Sequence, residues 1–346
     1  MGTYLLLDGH SLAYRAWFAL QEANLATSSG QETTAVYGFV TMTTRLLNDW
    51  KPEGLAVAFD SKGRTFRDDI APDYKAGRTA APEAFHSQIG LIRQFLELLG
   101  VPVIELPGYE ADDVLATLAT SLRDAGEDVV LVTGDRDSYQ LVEDPHVKVL
   151  YNRRGVTDYV LYDEAGIEER TGVRPPLYPL LASLRGDTSD NLPGVPGVGE
   201  KTAAKLVNTY RDVDEIFSHL AELTPKLRES MAAHEEGVRR NLLMIPLVRD
   251  VALDVSVPDD LALGNSDLSG LGELLDFLEM KAPRDRLFEA LAALRAGSGS
   301  SAGSAAEKTS IAVSAPDVPE DADSALAALK AVEAATAPVV VEPDWA

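Results

Sequence analysis

Val129-Val130-Leu131-Val132-Thr133-Gly134-Asp135 is an apolar run that ends at an aspartate. The same pattern occurs earlier in the chain, at Leu5-Leu6-Leu7-Asp8 and at Val57-Ala58-Phe59-Asp60. Short apolar runs without polar alternation are typical of strands that are buried on both faces of a parallel sheet. Stretches of helical periodicity separate these runs. The sequence therefore predicts an α/β fold with a mostly parallel central sheet flanked by helices.

The strand pattern fades at about residue 177, and short helices separated by Pro and Gly follow. We predict an α/β core at 1–176 and a helical subdomain at 177–295. A tail at 296–346 begins with a flexible Gly/Ser-rich linker. The predicted strands are 4–7, 55–59, 102–106, 129–133 and 147–150, and the predicted helices of the subdomain include 202–210, 268–278 and 285–294.

The composition excludes several classes of protein. The 346 residues contain no cysteine, which excludes disulfides, thiolate metal sites and cysteine nucleophiles. No apolar run approaches the ~20 residues of a membrane span, and the first residues do not resemble a secretory leader. We therefore predict a soluble cytoplasmic protein without a membrane partner. The net charge of −24 is unusual for a protein that binds nucleic acid, unless cations neutralise a local cluster of acids.

Acidic residues follow the predicted strands at the edge of the sheet where open α/β folds bind their ligands. Two further groups, Glu110-Ala111-Asp112-Asp113 and Asp187-Thr188-Ser189-Asp190, carry acids at i,i+3 spacing. The nine acids that we assign to one site are Asp8, Asp60, Glu110, Asp112, Asp113, Asp135, Asp137, Asp187 and Asp190.

Each of these acids alone has an ordinary explanation, because aspartates cap turns and helices. Nine acids in one site have no such ordinary explanation, because carboxylates in one crevice repel each other unless cations bind there. Oxygen ligands suit Mg²⁺ or Mn²⁺. Two such ions ~3.5–4 Å apart form the clamp used in phosphodiester hydrolysis. The acids therefore predict a hydrolase with two or more divalent ions, and His10 is the histidine that the sequence places nearest to them.

Two segments indicate a nucleic-acid substrate. The stretch from Pro193 to Lys201 contains Gly197-Val198-Gly199 and resembles a helix-hairpin-helix motif at about 191–210, whose backbone N–H groups bind phosphate. Lys201 and Lys205 add positive charge there. The segment from Lys62 to Arg78 is basic, with aromatic residues between the charges, as expected where bases stack and phosphates are neutralised. The alternatives are a plain glycine turn and a solvated surface loop.

Together these residues resemble the 5′-nuclease domains at the N-terminus of bacterial DNA polymerases I, which belong to the flap endonuclease group. The resemblance covers residues 4–294, and the motifs occur in family order. They are Asp8, Phe59-Asp60, Phe66-Arg67, Tyr74-Lys75-Ala76-Gly77-Arg78, Gly108-Tyr109-Glu110-Ala111-Asp112-Asp113, Thr133-Gly134-Asp135-Arg136-Asp137, Gly186-Asp187-Thr188-Ser189-Asp190-Asn191 and the hairpin. The resemblance implies a PIN-like flap endonuclease fold with a basic arch at about 61–93.

The resemblance also implies an activity and roles for residues. The activity would be 5′→3′ exonuclease and flap endonuclease action on DNA with a 5′ flap, nick or primer end, in primer removal and DNA repair. The first metal would be held by Asp8, Asp60, Glu110, Asp112 and Asp113, and the second by Asp135, Asp137, Asp187 and Asp190. Lys75 and Arg78 would be catalytic, by stabilising charge on the scissile phosphate. The DNA-binding residues would be Arg67, Tyr74, Gly194, Gly197, Gly199, Lys201 and Lys205, with Tyr74 stacked on the 5′ nucleotide and a K⁺ at the hairpin.

The resemblance further implies that the chain is the N-terminal part of a longer polymerase, and we expect a monomer. Residues 296–346 would be a linker and the truncated start of a 3′-exonuclease-like domain, so polymerase activity is not expected from these residues. Two alternatives stay open. One is a catalytically silent DNA-binding module with structural acids. The other is a PIN-like RNA nuclease, although the hairpin favours a duplex DNA backbone.

Overall fold

The structure is a computed structural model that describes residues 2–78, 81–155 and 158–298. The predicted tail lies, from residue 299 onward, outside the described residues. The strands are β1 (Thr3–Asp8), β2 (Gly54–Ala58), β3 (Val103–Ile104), β4 (Asp128–Thr133), β5 (Val147–Arg154), β6 (Asp158–Tyr162), β7 (Gly186–Asp187) and β8 (Leu192–Pro193).

Helices account for most of the remaining described residues. They are α1 (Gly9–Leu20), α2 (Thr34–Trp50), α3 (Phe66–Ile70), α4 (Glu83–Leu99), α5 (Ala111–Asp124), α6 (Glu164–Thr171), α7 (Tyr178–Arg185), α8 (Glu200–Tyr210), α9 (Val213–Ser218), α10 (Pro225–Met244), α11 (Leu268–Phe277) and α12 (Lys281–Ser298). Among these helices of the described part of the chain, none combines the length and apolar character needed to cross a membrane.

Six strands form the central sheet, in the order β3-β2-β1-β4-β5-β6. Neighbouring strands run parallel except for the edge strand β6, which is antiparallel to β5. The prediction of a mostly parallel sheet is therefore confirmed. In the middle of the sheet, Leu6 of β1 lies opposite Ala56 of β2 on one side and Leu131 of β4 on the other. The strand order reverses between β1 and β4, which opens a crevice at their carboxyl ends.

Both faces of the sheet are buried, as the unbroken apolar runs require. Along β1, Leu5 and Leu7 join a core with residues of α1, α2 and α4. Tyr4 and Leu6 join a second core with residues of α5 and of the helical region that follows the sheet. Successive side chains of a strand point to opposite faces, so the same strand supplies both cores.

The last two helices return to the sheet. Leu271 and Leu275 of α11 and Leu287 of α12 are buried in the same core as α2 and α4. This packing differs from the sequence prediction, which placed residues 177–295 in one helical subdomain. The helices α7, α8 and α10 lie on the opposite face, in the core that contains α5. The amphipathic sequence pattern predicted that these two segments are helical, but it did not predict which face of the sheet they pack against.

Candidate active site

The crevice at the reversal point holds the acids that follow β1 and β4. Asp8 Oδ1 accepts a hydrogen bond from the Ser11 amide (2.9 Å) and begins α1, while Oδ2 accepts from Thr133 Oγ1 (3.0 Å). The same Thr133 hydroxyl oxygen accepts from the Asp135 amide (3.0 Å). Thr133 therefore links the two strand ends and fixes the relative positions of Asp8 and Asp135.

Asp60 joins this edge of the sheet from β2. Its Oδ1 accepts a hydrogen bond from the Ala111 amide at the start of α5 (2.8 Å), and its own amide donates to His10 Nδ1 (3.2 Å). Burial alone would raise the pKa of Asp60. The hydrogen bond with His10, the charge of Lys75 and the Ala111 amide outweigh burial and hold that pKa below its usual range. Asp60 is thus a stable carboxylate at the rim of the crevice.

Burial and mutual repulsion raise the pKa of four other acids. Burial, with the charges of Asp60 and Asp135, raises the pKa of Asp8 to about 6. Burial, with the charges of Asp190 and Asp187, raises the pKa of Asp135 to about 6. The pKa values of Asp112 and Asp137 rise well above their usual range for the same two reasons. The acids that repel each other lie on different strands, helices and loops. The fold has therefore brought them close together in one crevice.

Strand β7 and the loop that follows it supply the remaining acids, Asp187 and Asp190. Asp187 Oδ1 accepts hydrogen bonds from the amide (2.8 Å) and hydroxyl (2.6 Å) of Ser189. Burial would raise the pKa of Asp190, but the charges of Lys75 and Arg78 hold it below its usual range. Within the described residues, no three Asp, Glu or His side chains are already arranged around one point at metal-ligand distances.

Basic side chains contact these acids from residues 73–78. Lys75 Nζ lies 2.6 Å from Glu110 Oε1, and an Arg78 guanidinium nitrogen lies 2.5 Å from Asp190 Oδ1. Both basic residues that the resemblance assigns to catalysis therefore lie at the crevice. In this arrangement they are ion-paired with two of the predicted metal ligands.

Arg67 and Asp113 require a correction of the sequence prediction. Arg67 is 2% exposed and Asp113 is 0% exposed, and two guanidinium nitrogens donate to the two Asp113 oxygens at 2.6 and 2.9 Å. Asp113 also accepts from the amides of Val248 (3.0 Å) and Glu110 (3.1 Å). Both side chains are thus enclosed in the core, where Asp113 has no oxygen free for a metal and Arg67 has no access to DNA.

Tyr74 and Gly194 are also placed differently from the prediction. Tyr74 is 7% exposed, and its hydroxyl donates to Asp190 Oδ2 at 2.8 Å with Glu110 Oε2 nearby at 3.2 Å, so its ring offers no face to a nucleotide in this arrangement. Gly194 lies against the backbone at the end of α7, where an added Cβ would be 2.0 Å from the Arg185 carbonyl oxygen. Close approach within the protein, rather than DNA, accounts for this glycine.

The predicted hairpin lies between α7 and α8. Gly197 has a φ of +86°, and neither Gly197 nor Gly199 has another atom within 4 Å of the position of an added Cβ. Gly199 directly precedes the first residue of α8, and Lys201 and Lys205 are exposed on that helix. Both glycines are thus exposed, with open space beside the turn that leads into α8.

Arg15 is a candidate site residue that the sequence prediction missed. Its Nε would lie 2.8 Å from a Cβ placed on Gly134, the residue before Asp135. The Arg15 side chain donates to the Arg153 carbonyl oxygen (3.4 Å). Arg15 lies seven residues after Asp8, which is about two helical turns along α1 and the same face of that helix. This spacing is the feature that could have indicated it.

Comparisons with known proteins agree with this architecture. A family model described as "5'-3' exonuclease, N-terminal resolvase-like domain" matches residues 3–172, and one described as "5'-3' exonuclease, C-terminal SAM fold" matches residues 173–268. DNA polymerase I of Mycobacterium tuberculosis (strain ATCC 25618 / H37Rv) is 45% identical over 291 residues, which cover 84% of this chain and 32% of the relative. The thermostable DNA polymerase I of Thermus thermophilus is 41% identical over 280 residues (80% and 32%).

Solved structures share the fold at low sequence identity. T5 5'-exonuclease with bound zinc has a TM-score of 0.58 at 20% identity, covering 85% of this chain and 98% of that chain. Human GEN1 in complex with Holliday junction DNA has a TM-score of 0.56 at 18% identity (84% and 71%).

The chain belongs to the 5′-3′ exonuclease family of nucleases, because the two family models together match residues 3–268 without a gap. Within that family it corresponds to the 5′-3′ exonuclease domain of DNA polymerase I. The matched region spans about a third of the length of these curated relatives (32%). The family and fold predicted from the sequence are therefore confirmed.

Proposed function

We propose that this chain is a structure-specific 5′ nuclease that hydrolyses phosphodiester bonds near the 5′ end of flap or nicked duplex DNA. The observation that carries the proposal is the crevice between β1 and β4. Acids from five separate parts of the fold converge there, and the basic side chains of Lys75 and Arg78 border it. The substrate that needs both features is a phosphodiester, which carries negative charge and is hydrolysed with the help of cations.

The donor set of the crevice fits divalent cations. Burial and the charges of neighbouring acids raise the pKa of several of its carboxylates, and a bound cation would offset this repulsion. The residues that would hold two or more Mg²⁺ or Mn²⁺ ions are Asp8, Asp60, Glu110, Asp112, Asp135, Asp137, Asp187 and Asp190. When bound, such ions polarise a phosphate oxygen and lower the pKa of a water molecule.

The remaining groups would bind and orient the DNA. Lys75 and Arg78 would neutralise charge on the scissile phosphate, and Arg15 would contact a phosphate beside Gly134. The backbone N–H groups at the start of α8 would hold a duplex phosphate, with a K⁺ at the preceding turn. We further propose that the chain acts as a monomer and as the N-terminal part of a longer polymerase, in primer removal and DNA repair.

Cleavage of a labelled 5′-flap duplex tests the proposed function. We expect short 5′ products in Mg²⁺ and none in EDTA, because the carboxylates need cations before a phosphate can approach them. Single-stranded RNA of the flap sequence, incubated in parallel, should be cut at least ~10-fold more slowly, since the hairpin binds a duplex backbone. Flap binding without product in Mg²⁺ or Mn²⁺ would favour a silent DNA-binding module. Faster cleavage of the RNA would favour a PIN-like RNA nuclease.

The hairpin predicts a specific salt dependence of DNA binding. Lys201→Gln should weaken binding to duplex DNA of any sequence and lower the slope of log affinity against log salt by about 1, because one phosphate contact is lost. The matched control is Lys281→Gln, an exposed lysine of α12 on the opposite face of the sheet. Fluorescence anisotropy at several salt concentrations measures both slopes. Equal slopes for the two variants would contradict a phosphate contact at Lys201.

A further inference from the structure

Residues 73–78, here called the strap, bind two carboxylates of the site through three side chains. Lys75 Nζ pairs with Glu110 Oε1, and Arg78 pairs with Asp190 Oδ1. The Tyr74 hydroxyl lies between the two acids and donates its one proton to Asp190 Oδ2 at 2.8 Å, with Glu110 Oε2 at 3.2 Å. The two carboxylates therefore both face polar or basic groups of the strap.

Backbone contacts hold the strap in the same place. The Lys75 amide donates to the Asp190 carbonyl oxygen (3.0 Å), and Asn191 Nδ2 donates to the Asp73 carbonyl oxygen (2.7 Å). Lys75 and Asn191 have φ angles of +56° and +57°, a left-handed conformation that L residues adopt when their surroundings enforce it. The conformation of the strap therefore depends on its contacts with the loop that carries Asp190.

We propose that the strap is a built-in counter-ion of the site, so that it competes with divalent metal ions for Glu110 and Asp190. This inference rests on the proposed function. A divalent cation that ligates one of these carboxylates repels the ammonium or guanidinium group already paired with it, so the two cations compete for the same negative charge. Coupling is reciprocal, so metal binding weakens the strap contacts as much as these contacts weaken metal binding. Release would expose Tyr74 and leave Lys75 and Arg78 available to bind DNA. The strap would thus exchange its contacts with Glu110 and Asp190 for contacts with DNA when metal ions bind.

Metal affinity measured without DNA tests the competition. Calorimetric titration of the full chain with Mn²⁺ should show affinity raised about 5-fold in Lys75→Met and in Arg78→Met, the equivalent of one ion pair. The control is Arg15→Met, which removes a charge near Asp135 but no ion pair that the described residues show. A general electrostatic effect would raise the affinity equally in all three variants. Such equality would overturn the inference.

Hydrogen–deuterium exchange of the wild-type chain tests the release directly. Addition of Mn²⁺ alone should speed exchange of a peptide covering residues 71–78 several-fold, because the Lys75 amide loses its bond to Asp190. A peptide covering α2, which carries none of the residues assigned to the site, is the internal reference and should not change. Mn²⁺ binding with unchanged exchange of residues 71–78 would overturn the inference alone. A chain that binds no Mn²⁺ would overturn the proposed function and this inference with it.

Discussion

Asp135→Asn should lower the single-turnover rate of flap cleavage in Mg²⁺ by about 10³-fold or more. The Asp135 carboxylate is close enough to acids of several other elements to raise their pKa values or have its own raised by them. We therefore expect it to contribute strongly to binding any cation in the crevice. Loss of several kcal/mol of charge stabilisation in the transition state corresponds to this factor. Quench-flow cleavage of a labelled flap measures the rate. Binding of the same flap in EDTA should change little, since no DNA contact is removed.

The same variant should leave the protein folded, which separates chemistry from stability. Asn keeps an oxygen that can accept from the Asp137 amide, a bond of 2.9 Å in the wild type. It also removes a negative charge that faces Asp187 and Asp190, so the thermal midpoint in EDTA should not fall. The control is Glu97→Gln, an exposed acid of α4, which should cleave like the wild type. Unchanged cleavage by Asp135→Asn would contradict the proposed site.

Arg67→Met should lower the free energy of unfolding by about 3–5 kcal/mol, which is a fall in thermal midpoint of about 10 °C. The substitution leaves the fully buried Asp113 carboxylate without its guanidinium partner. It also removes the hydrogen bond from Arg67 Nε to the Met244 carbonyl oxygen at the end of α10 (2.8 Å). Thermal denaturation followed by circular dichroism measures the effect.

A surface ion pair supplies the matched control for this prediction. Arg153 pairs with Asp158 at 2.9 Å, and the Arg153 side chain is 56% exposed, so Arg153→Met should lower stability by less than ~1 kcal/mol. Adding Asp113→Leu to Arg67→Met should recover part of the loss, because the unpaired charge is gone. Recovery stays incomplete since the Val248 and Glu110 amides lose their acceptor. Equal losses for Arg67→Met and Arg153→Met would show that the buried pair is not structural.

The position of the site could be predicted from the sequence because two simple rules apply together. Uninterrupted apolar runs specify parallel strands, and parallel strands bring their carboxyl ends to one edge. Asp8, Asp60 and Asp135 follow three such runs, so their convergence needed no knowledge of the helices between them. The order β2-β1-β4 then places Asp8 between the other two.

The roles of individual acids could not be read from the same pattern. Asp112 and Asp113 are consecutive in α5, and consecutive helical residues point about 100° apart. One carboxylate therefore faces the other acids of the crevice while its neighbour faces Arg67 in the core. Which of the two does which depends on the rotation of α5 about its axis. Packing sets that rotation, and no local sequence signal reports it.

Contacts between residues that are distant in the sequence could not be predicted from it either. Glu110 and Asp190 are far apart in the chain, and the hydroxyl of Tyr74 joins them. An interleaved aromatic in a basic segment predicts stacking on bases, yet the Tyr74 ring is buried in a hydrophobic core and its hydroxyl lies between two carboxylates. From composition alone, the segment from residue 62 to 78 is expected to be a solvated surface. Composition cannot show that Glu110 and Asp190, from other parts of the fold, pack against it.

The return of α11 and α12 to the sheet has a consequence for synthesis on the ribosome. The last two helices pack on α2 and α4, so the outer surfaces of these two early helices stay uncovered until nearly the last described helix has been made. At about 5–20 residues per second, that interval lasts from roughly 15 seconds to a minute. During it, the nascent chain exposes the apolar surface of α2 and α4 to chaperones. A fragment that stops at residue 268, where the family model ends, would keep that surface exposed permanently and should aggregate.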